Sequence, residues 1–271
     1  MELPDKFRFS QNNLQDFSDC PRRFELKYLL KQQWPAVVSE PILEFEQHQQ
    51  LGRSFHTLIQ RHLAGIPAQI LEDSLTDPLL HAWWKNYLVF IEQFQANQCQ
   101  PEVTRTIPFA GYHLTATFDC LVSDAGNSLT ILDWKTSRFK TPAKTLANRI
   151  QSQVYPFICY ETYKDELPAD NITLIYWFPE YPDDPVRFRY SSKQHTEAGV
   201  LLQKLVKSIT DSEPGVFPLT DNVKACQYCA YRSLCNRGIK AGSMADASAT
   251  QTELASKLDD LDFNSIEEIQ F

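Results

Sequence analysis

Tyr112-His113-Leu114-Thr115-Ala116-Thr117-Phe118-Asp119-Cys120-Leu121-Val122, then Ser123-Asp124-Ala125-Gly126-Asn127-Ser128, then Leu129-Thr130-Ile131-Leu132-Asp133-Trp134-Lys135 is the stretch on which the fold turns. Its two apolar runs read as strands. The small polar residues between them read as the turn of an antiparallel hairpin. Side chains two apart on a strand share a face, so Asp133 and Lys135 project together. In such a hairpin Asp119 comes beside Asp133, and two carboxylates and an ammonium share one site.

Outward from the hairpin, the hydrophobic periods sort the chain into a mixed α/β order. Ser10 to Leu30 reads as a helix with Ser10 as N-cap, broken near Cys20 by Pro21. Gln47 to Ala64 sets Leu51, Phe55, Leu58, Ile59 and Leu63 on one side of a second helix. Leu79 to Gln98 is an aromatic-rich third. Val103 to Phe109 adds a strand before the hairpin. After it come a helix over Lys144 to Tyr163, strands over Ile172 to Phe178 and Val186 to Tyr190, and a helix over Glu197 to Thr210.

Two close carboxylates repel, and a cation relieves the repulsion. Carboxylate oxygens suit hard ions such as Mg²⁺ or Mn²⁺. Such an ion polarises a phosphoryl oxygen and lowers the pKa of water, while a lysine offsets charge building on phosphorus. Those are the needs of phosphodiester hydrolysis. Asp-x-Lys alone is common as ordinary surface charge. Here it ends the apolar run Ile131-Leu132, at the edge of a buried region.

Three further residues join it. His56 lies on the second helix beside apolar positions. A histidine there is commonly a satisfied core residue, and it is also a ligand for Mn²⁺. Gln151 and Tyr155, at i and i+4, share a helical face. The order His56, Asp119, Asp133-x-Lys135, Gln151-x-x-x-Tyr155 resembles the RecB-like branch of the PD-(D/E)XK nucleases, and the Cas4 and AddB nuclease domains within it. The resemblance spans about residues 10–237 and implies a restriction-endonuclease-like core: a central mixed sheet flanked by helices, with a helical insertion. It implies that His56, Asp119, Asp133 and the main-chain carbonyl of Trp134 bind Mg²⁺ or Mn²⁺. It further implies that Lys135 is catalytic and that Gln151 and Tyr155 contact substrate. Family members often carry glycine shortly before the first acid, where this chain has Ala116.

Cys226-x-x-Cys229-x5-Cys235 gathers three thiols, and Cys20, in Cys20-Pro21-Arg22-Arg23, offers a fourth. Spacing alone admits zinc or an iron–sulfur cluster. The split of one N-terminal and three C-terminal cysteines is similar to Cas4 and AddB, and implies a structural [4Fe–4S] cluster joining the chain's ends, with zinc as the alternative. Cys99, Cys120 and Cys159 read as small hydrophobes.

The chain has 271 residues and a formal charge of −8. Residues 239–271 hold seven acids against two lysines, so −5 of that charge sits in an acidic tail expected to be flexible. Residues 1–238 form the expected nuclease domain. No apolar run approaches the roughly 20 residues that span a bilayer, and the N-terminus does not resemble a signal peptide. A cytoplasmic protein with reduced thiols is expected. The activity implied is a DNA exonuclease acting on single-stranded or unwinding ends in repair, recombination or CRISPR adaptation, with a helicase or recombination protein as a possible partner class. The rival is a non-catalytic or zinc-stapled module of the same fold that binds DNA ends or a partner.

Overall fold

The computed structural model describes residues 3–4, 7–32, 42–226 and 229–238, the side chains of 42–46 excepted. The expected tail, 239–271, lies outside the described residues. Strand β1 (Arg8–Ser10) leads into α1 (Gln11–Asp19) through a reciprocal cap. The Ser10 hydroxyl accepts from the Asn13 N–H, and the Asn13 side chain accepts from the Ser10 N–H. Cys20 is extended, so the helix breaks where Pro21 demands it, and α2 (Pro21–Phe24) continues as a π-helical turn over Glu25–Leu29.

Helices α3 (Ile42–Leu63), α4 (Ala68–Asp73) and α5 (Pro78–Ile91) precede the strands β2 (Gln98–Phe109), β3 (Tyr112–Asp124) and β4 (Ser128–Trp134). The helix expected over Lys144–Tyr163 is two: α6 (Ala143–Ala147) and α7 (Ile150–Tyr163). Arg149 is extended between them. Strands β5 (Ile172–Trp177) and β6 (Val186–Arg189), then α8 (Ser192–Thr210) and α9 (Val223–Cys226), complete the order. Helix α8 starts five residues before the expected Glu197, because Ser191 caps it by accepting from the Gln194 N–H.

Among the described residues six strands form one mixed sheet in the order β1-β3-β4-β5-β6, with β2 also on β3. Helices α1, α7 and α8 cover one face with a core that includes Leu14, Phe118, Ile131, Val154 and Leu202. Helices α3, α4 and α5 cover the other with Phe55, Trp83, Trp84, Tyr87, Trp134 and Trp177. This is the expected α/β architecture, with helices 42–91 as the insertion.

One irregularity positions the site. Leu114, Ala116 and Phe118 face the first core, yet Cys120 and Val122, continuing the same spacing of two, face the second. Alternation therefore switches at Asp119. On one edge β3 keeps β2 along its length. On the other it pairs with β1 over His113–Thr115 and with β4 only from Cys120 onward. Asp119 sits at the fork between them.

Candidate active site

Beyond the pair Cys120–Leu132 the next step brings Asp119 level with Asp133. The Trp134 N–H donates to Oδ2 of Asp119 at 2.8 Å, tying the two strand ends together. On the other edge Pro101 pairs with Cys120 and Val103 with Phe118, so Glu102 stands across from Asp119. Glu102 has φ +50°, a left-handed backbone at a non-glycine residue, as found where a site over-determines a conformation. From α3, His56 brings Nδ1 to 3.6 Å from Oδ1 of Asp119 and Nε2 to 3.1 Å from the Trp134 carbonyl. Ligand atoms of His56, Glu102 and Asp119 lie within 4.8 Å of one another.

Asp133 is 2% and Lys135 4% exposed. Lys135 Nζ lies 3.0 Å from Oδ2 of Asp133 and donates to Oε1 of Gln151 at 3.0 Å. The Gln151 amide in turn donates to Oδ1 of Asp133 at 2.7 Å. Both ends of Gln151 are thus engaged in holding acid and ammonium together. Beneath them, Lys135 Nζ stands 5.4 Å from the Tyr176 ring centroid, and Tyr176 shares a 2.8 Å hydrogen bond with Ser152. Tyr155 is buried, edge-on to Phe118 at 5.1 Å, and its hydroxyl accepts from Gln11 at 3.3 Å. Gln151 and Tyr155 therefore form the floor of the site.

The electrostatics are those of crowded anions. Burial, then repulsion from Asp119, raises the Asp133 carboxyl above its ordinary range against the pull of Lys135. Burial and Asp119 likewise push Glu102 up to about 7, with His56 opposing. Oδ2 of Asp133 is buried against the Lys135 ammonium. Converging carboxylate oxygens and an imidazole fit a divalent cation such as Mn²⁺ or Mg²⁺.

Helix α3 is stitched to the strand end at steps of four residues. His48 Nε2 meets the Thr136 carbonyl at 2.5 Å, and His56 meets that of Trp134. Between them a Cβ on Gly52 would lie 2.6 Å from Oγ1 of Thr136. Glycine here lets the helix approach closely enough for His56 to reach the fork.

The cysteines occupy the joined ends of the chain. Cys20 lies between α1 and α2, and Arg22 N–H donates to the Pro218 carbonyl at 3.1 Å. The Gly215 N–H donates to the buried Glu25 carboxylate, which also pairs with Arg22. Cys229 N–H donates to the Cys226 carbonyl at 3.1 Å, and Arg232 donates to that of Cys229. Burial pushes the Cys229 and Cys235 thiols up. The neighbouring thiols of Cys20 and Cys226 add to both effects. Arg23 favours the Cys229 thiolate and Arg22 that of Cys235.

Sequence reasoning brought His56, Asp119, Asp133, Trp134 and Lys135 into one site and missed Glu102. The signal was present. A two-residue turn at Ala110-Gly111, both with positive φ, pairs Phe109 with Tyr112, and counting back along that register sets Glu102 opposite Asp119.

The chain matches the family model described as the PD-(D/E)XK nuclease superfamily over residues 8–236. Its fold is similar to the crystal structure of a "Putative exonuclease" from Eubacterium rectale. The two are 16% identical with a TM-score of 0.51, and the match covers 92% of this chain and 99% of that one. The crystal structure of SSO0001 is more distant, at 16% identity and a TM-score of 0.42 over 88% of this chain and 91% of that one. No curated protein matches the chain. Among the described residues no helix is long and apolar enough to cross a membrane.

Proposed function

The chain belongs to the PD-(D/E)XK nuclease superfamily, and on that footing we propose that it is a metal-dependent DNA exonuclease of the RecB/Cas4-like branch. It acts on single-stranded or unwinding ends, as in repair, recombination or CRISPR adaptation. The observation that carries this reading is the convergence of His56, Glu102, Asp119 and the Trp134 carbonyl beside the bonded set Asp133, Lys135 and Gln151.

His56, Asp119, Asp133 and the Trp134 carbonyl hold the divalent ion, with Glu102 as a further ligand. When bound, the ion polarises a phosphoryl oxygen and makes water a stronger acid. The protein's own groups do the rest. Asp119 fixes the Trp134 amide and so aims the adjoining carbonyl. Gln151 holds Lys135 and Asp133 in register. The Lys135 ammonium orients the attacking water and offsets negative charge as it builds on phosphorus. Burial of this set strengthens each interaction.

Residues 1–238 constitute the nuclease domain, and residues 239–271 are acidic in sequence. Cys20, Cys226, Cys229 and Cys235 carry a structural [4Fe–4S] cluster that clasps the ends of that domain. Their clustering at an already joined seam, beside Arg22 and Arg23, supports this over isolated thiols.

The test is anaerobic purification of the full chain, a visible spectrum, then digestion of strands labelled at either end with Mn²⁺ present. Expected are a shoulder near about 400 nm and shortening of the strands from an end. A colourless protein with stoichiometric zinc rejects the cluster. Intact strands reject the hydrolase.

A further inference from the structure

The segment that leaves β4 after Lys135 is pinned at successive residues. The Thr136 carbonyl meets His48, and the buried Ser137 hydroxyl donates to the Phe139 carbonyl at 3.0 Å. Tyr181 donates to the Arg138 carbonyl at 3.3 Å, and Lys140 pairs with Asp184. Thr141 is buried again. In the middle of this ordered connection the Phe139 side chain is 47% exposed.

A single exposed apolar residue is ordinary on a protein surface. The setting of Phe139 is not. It lies four residues beyond the ammonium of the proposed site and is flanked by Arg138 and Lys140. Tyr181, itself 36% exposed, is tied to the same connection. Both neighbouring cations are engaged by acids of the facing loop, Lys140 with Asp184 and Arg138 with Glu180, so what the connection offers an unpaired strand is the exposed ring itself, on which a base can stack. In a duplex the bases are already stacked on each other and offer no free face. The charge is local: Glu180 and Asp184 lie on the facing loop, so the surface does not attract polyanions indiscriminately.

We infer that Phe139, with Tyr181 on the facing loop, is a stacking platform for an unpaired base of the strand approaching the site, which makes single-stranded ends the preferred substrate class. This inference rests on the hydrolase reading for its biological use, but it is tested separately. A backbone pinned on both sides of the ring lowers the ordering entropy lost on binding, which favours affinity.

The experiment is fluorescence anisotropy of the full chain with a labelled oligothymidine and with a blunt duplex, in EDTA so that no strand is cut. Phe139→Ala and Phe139→Leu are expected to weaken single-strand binding about tenfold, as loss of one base stack predicts. Phe139→Trp keeps wild-type affinity. Duplex binding stays within about twofold throughout, since phosphate contacts remain. The leucine variant preserves apolar contact without a flat ring, and so separates stacking from folding. Single-strand affinity unchanged in both truncations, or an equal loss on the duplex, overturns the platform. If wild-type protein shows the single-strand effect in EDTA yet never cuts with Mn²⁺, the hydrolase reading falls and the platform stands.

Discussion

The acidic site takes its ligands from elements whose other faces are packed in the core. Asp119 and Asp133 come from central strands. His56 comes from α3, where the adjoining Phe55 is wholly buried. The cysteine seam takes Cys20 from a break between two short helices, and the other three from a four-residue helix and the turns after it. In the first, the fold fixes the acids and crowds their charges. In the second, the thiols sit on turns of a few residues, and the proposed cluster would complete the structure. On the proposed reading one site stores electrostatic strain for use in chemistry, and the other would draw stability from what it binds.

This contrast predicts separable losses. Lys135→Ala and Asp133→Asn should lower the rate of Mn²⁺-dependent strand cleavage by at least about 10²–10³-fold, as removal of a charge-stabilising donor does elsewhere. Circular dichroism should show the fold intact. Cleavage surviving both changes removes these residues from the chemistry.

Next in size, Cys229→Ser or Cys235→Ser should abolish the roughly 400 nm shoulder and lower the Tm by about 10 °C, since a bound structural group contributes several kcal/mol of folding free energy. Cleavage per folded molecule should change little. A variant that keeps its Tm but loses cleavage would show that the two regions are not separable in this way.

Glu102→Gln sharpens the electrostatic half. The folded protein holds the Glu102 proton up to about pH 7, whereas the unfolded chain releases it in the ordinary carboxylate range. Without metal, stability should therefore fall as pH rises across that window, and the penalty should be complete above pH 7. The glutamine variant should recover about 1 kcal/mol at pH 8, allowing for screening at this half-exposed position, and nothing at pH 4. It should also bind Mn²⁺ more weakly. Urea titration at the two pH values measures the first effect, and an equal gain at both contradicts it.

The smallest effect is expected at Gly52. Gly52→Ala adds a methyl against Thr136 and should lift α3 slightly, weakening Mn²⁺ binding a few-fold at nearly constant Tm. No change in metal affinity would mean that Thr136 simply turns aside.

Much of this was legible because it followed the strand period. Asp119, Asp133 and Lys135 were readable as one site from the Ser123–Ser128 turn alone, and the α/β class from the order of periods. Other features depend on non-local geometry. The three-residue β1 is too short to show a period and exists because β3 offers it a parallel edge. The break at Arg149 has no proline or glycine to announce it. The switch of alternation at Asp119 arises where β3 changes neighbours, which no local pattern encodes. The part of Gln151 as a brace between Asp133 and Lys135 needed the position of α7 against β4.

Direct Mn²⁺ binding, followed by electron paramagnetic resonance as free Mn²⁺ is titrated into metal-free protein, tests the central claim most closely. Wild type and Lys135→Ala should each take up the ion at the fork, while His56→Ala and Asp119→Asn should lose it with their folds intact. Undiminished uptake in Asp119→Asn, or none in the wild-type chain, would contradict an ion site built by His56, Glu102, Asp119 and Asp133.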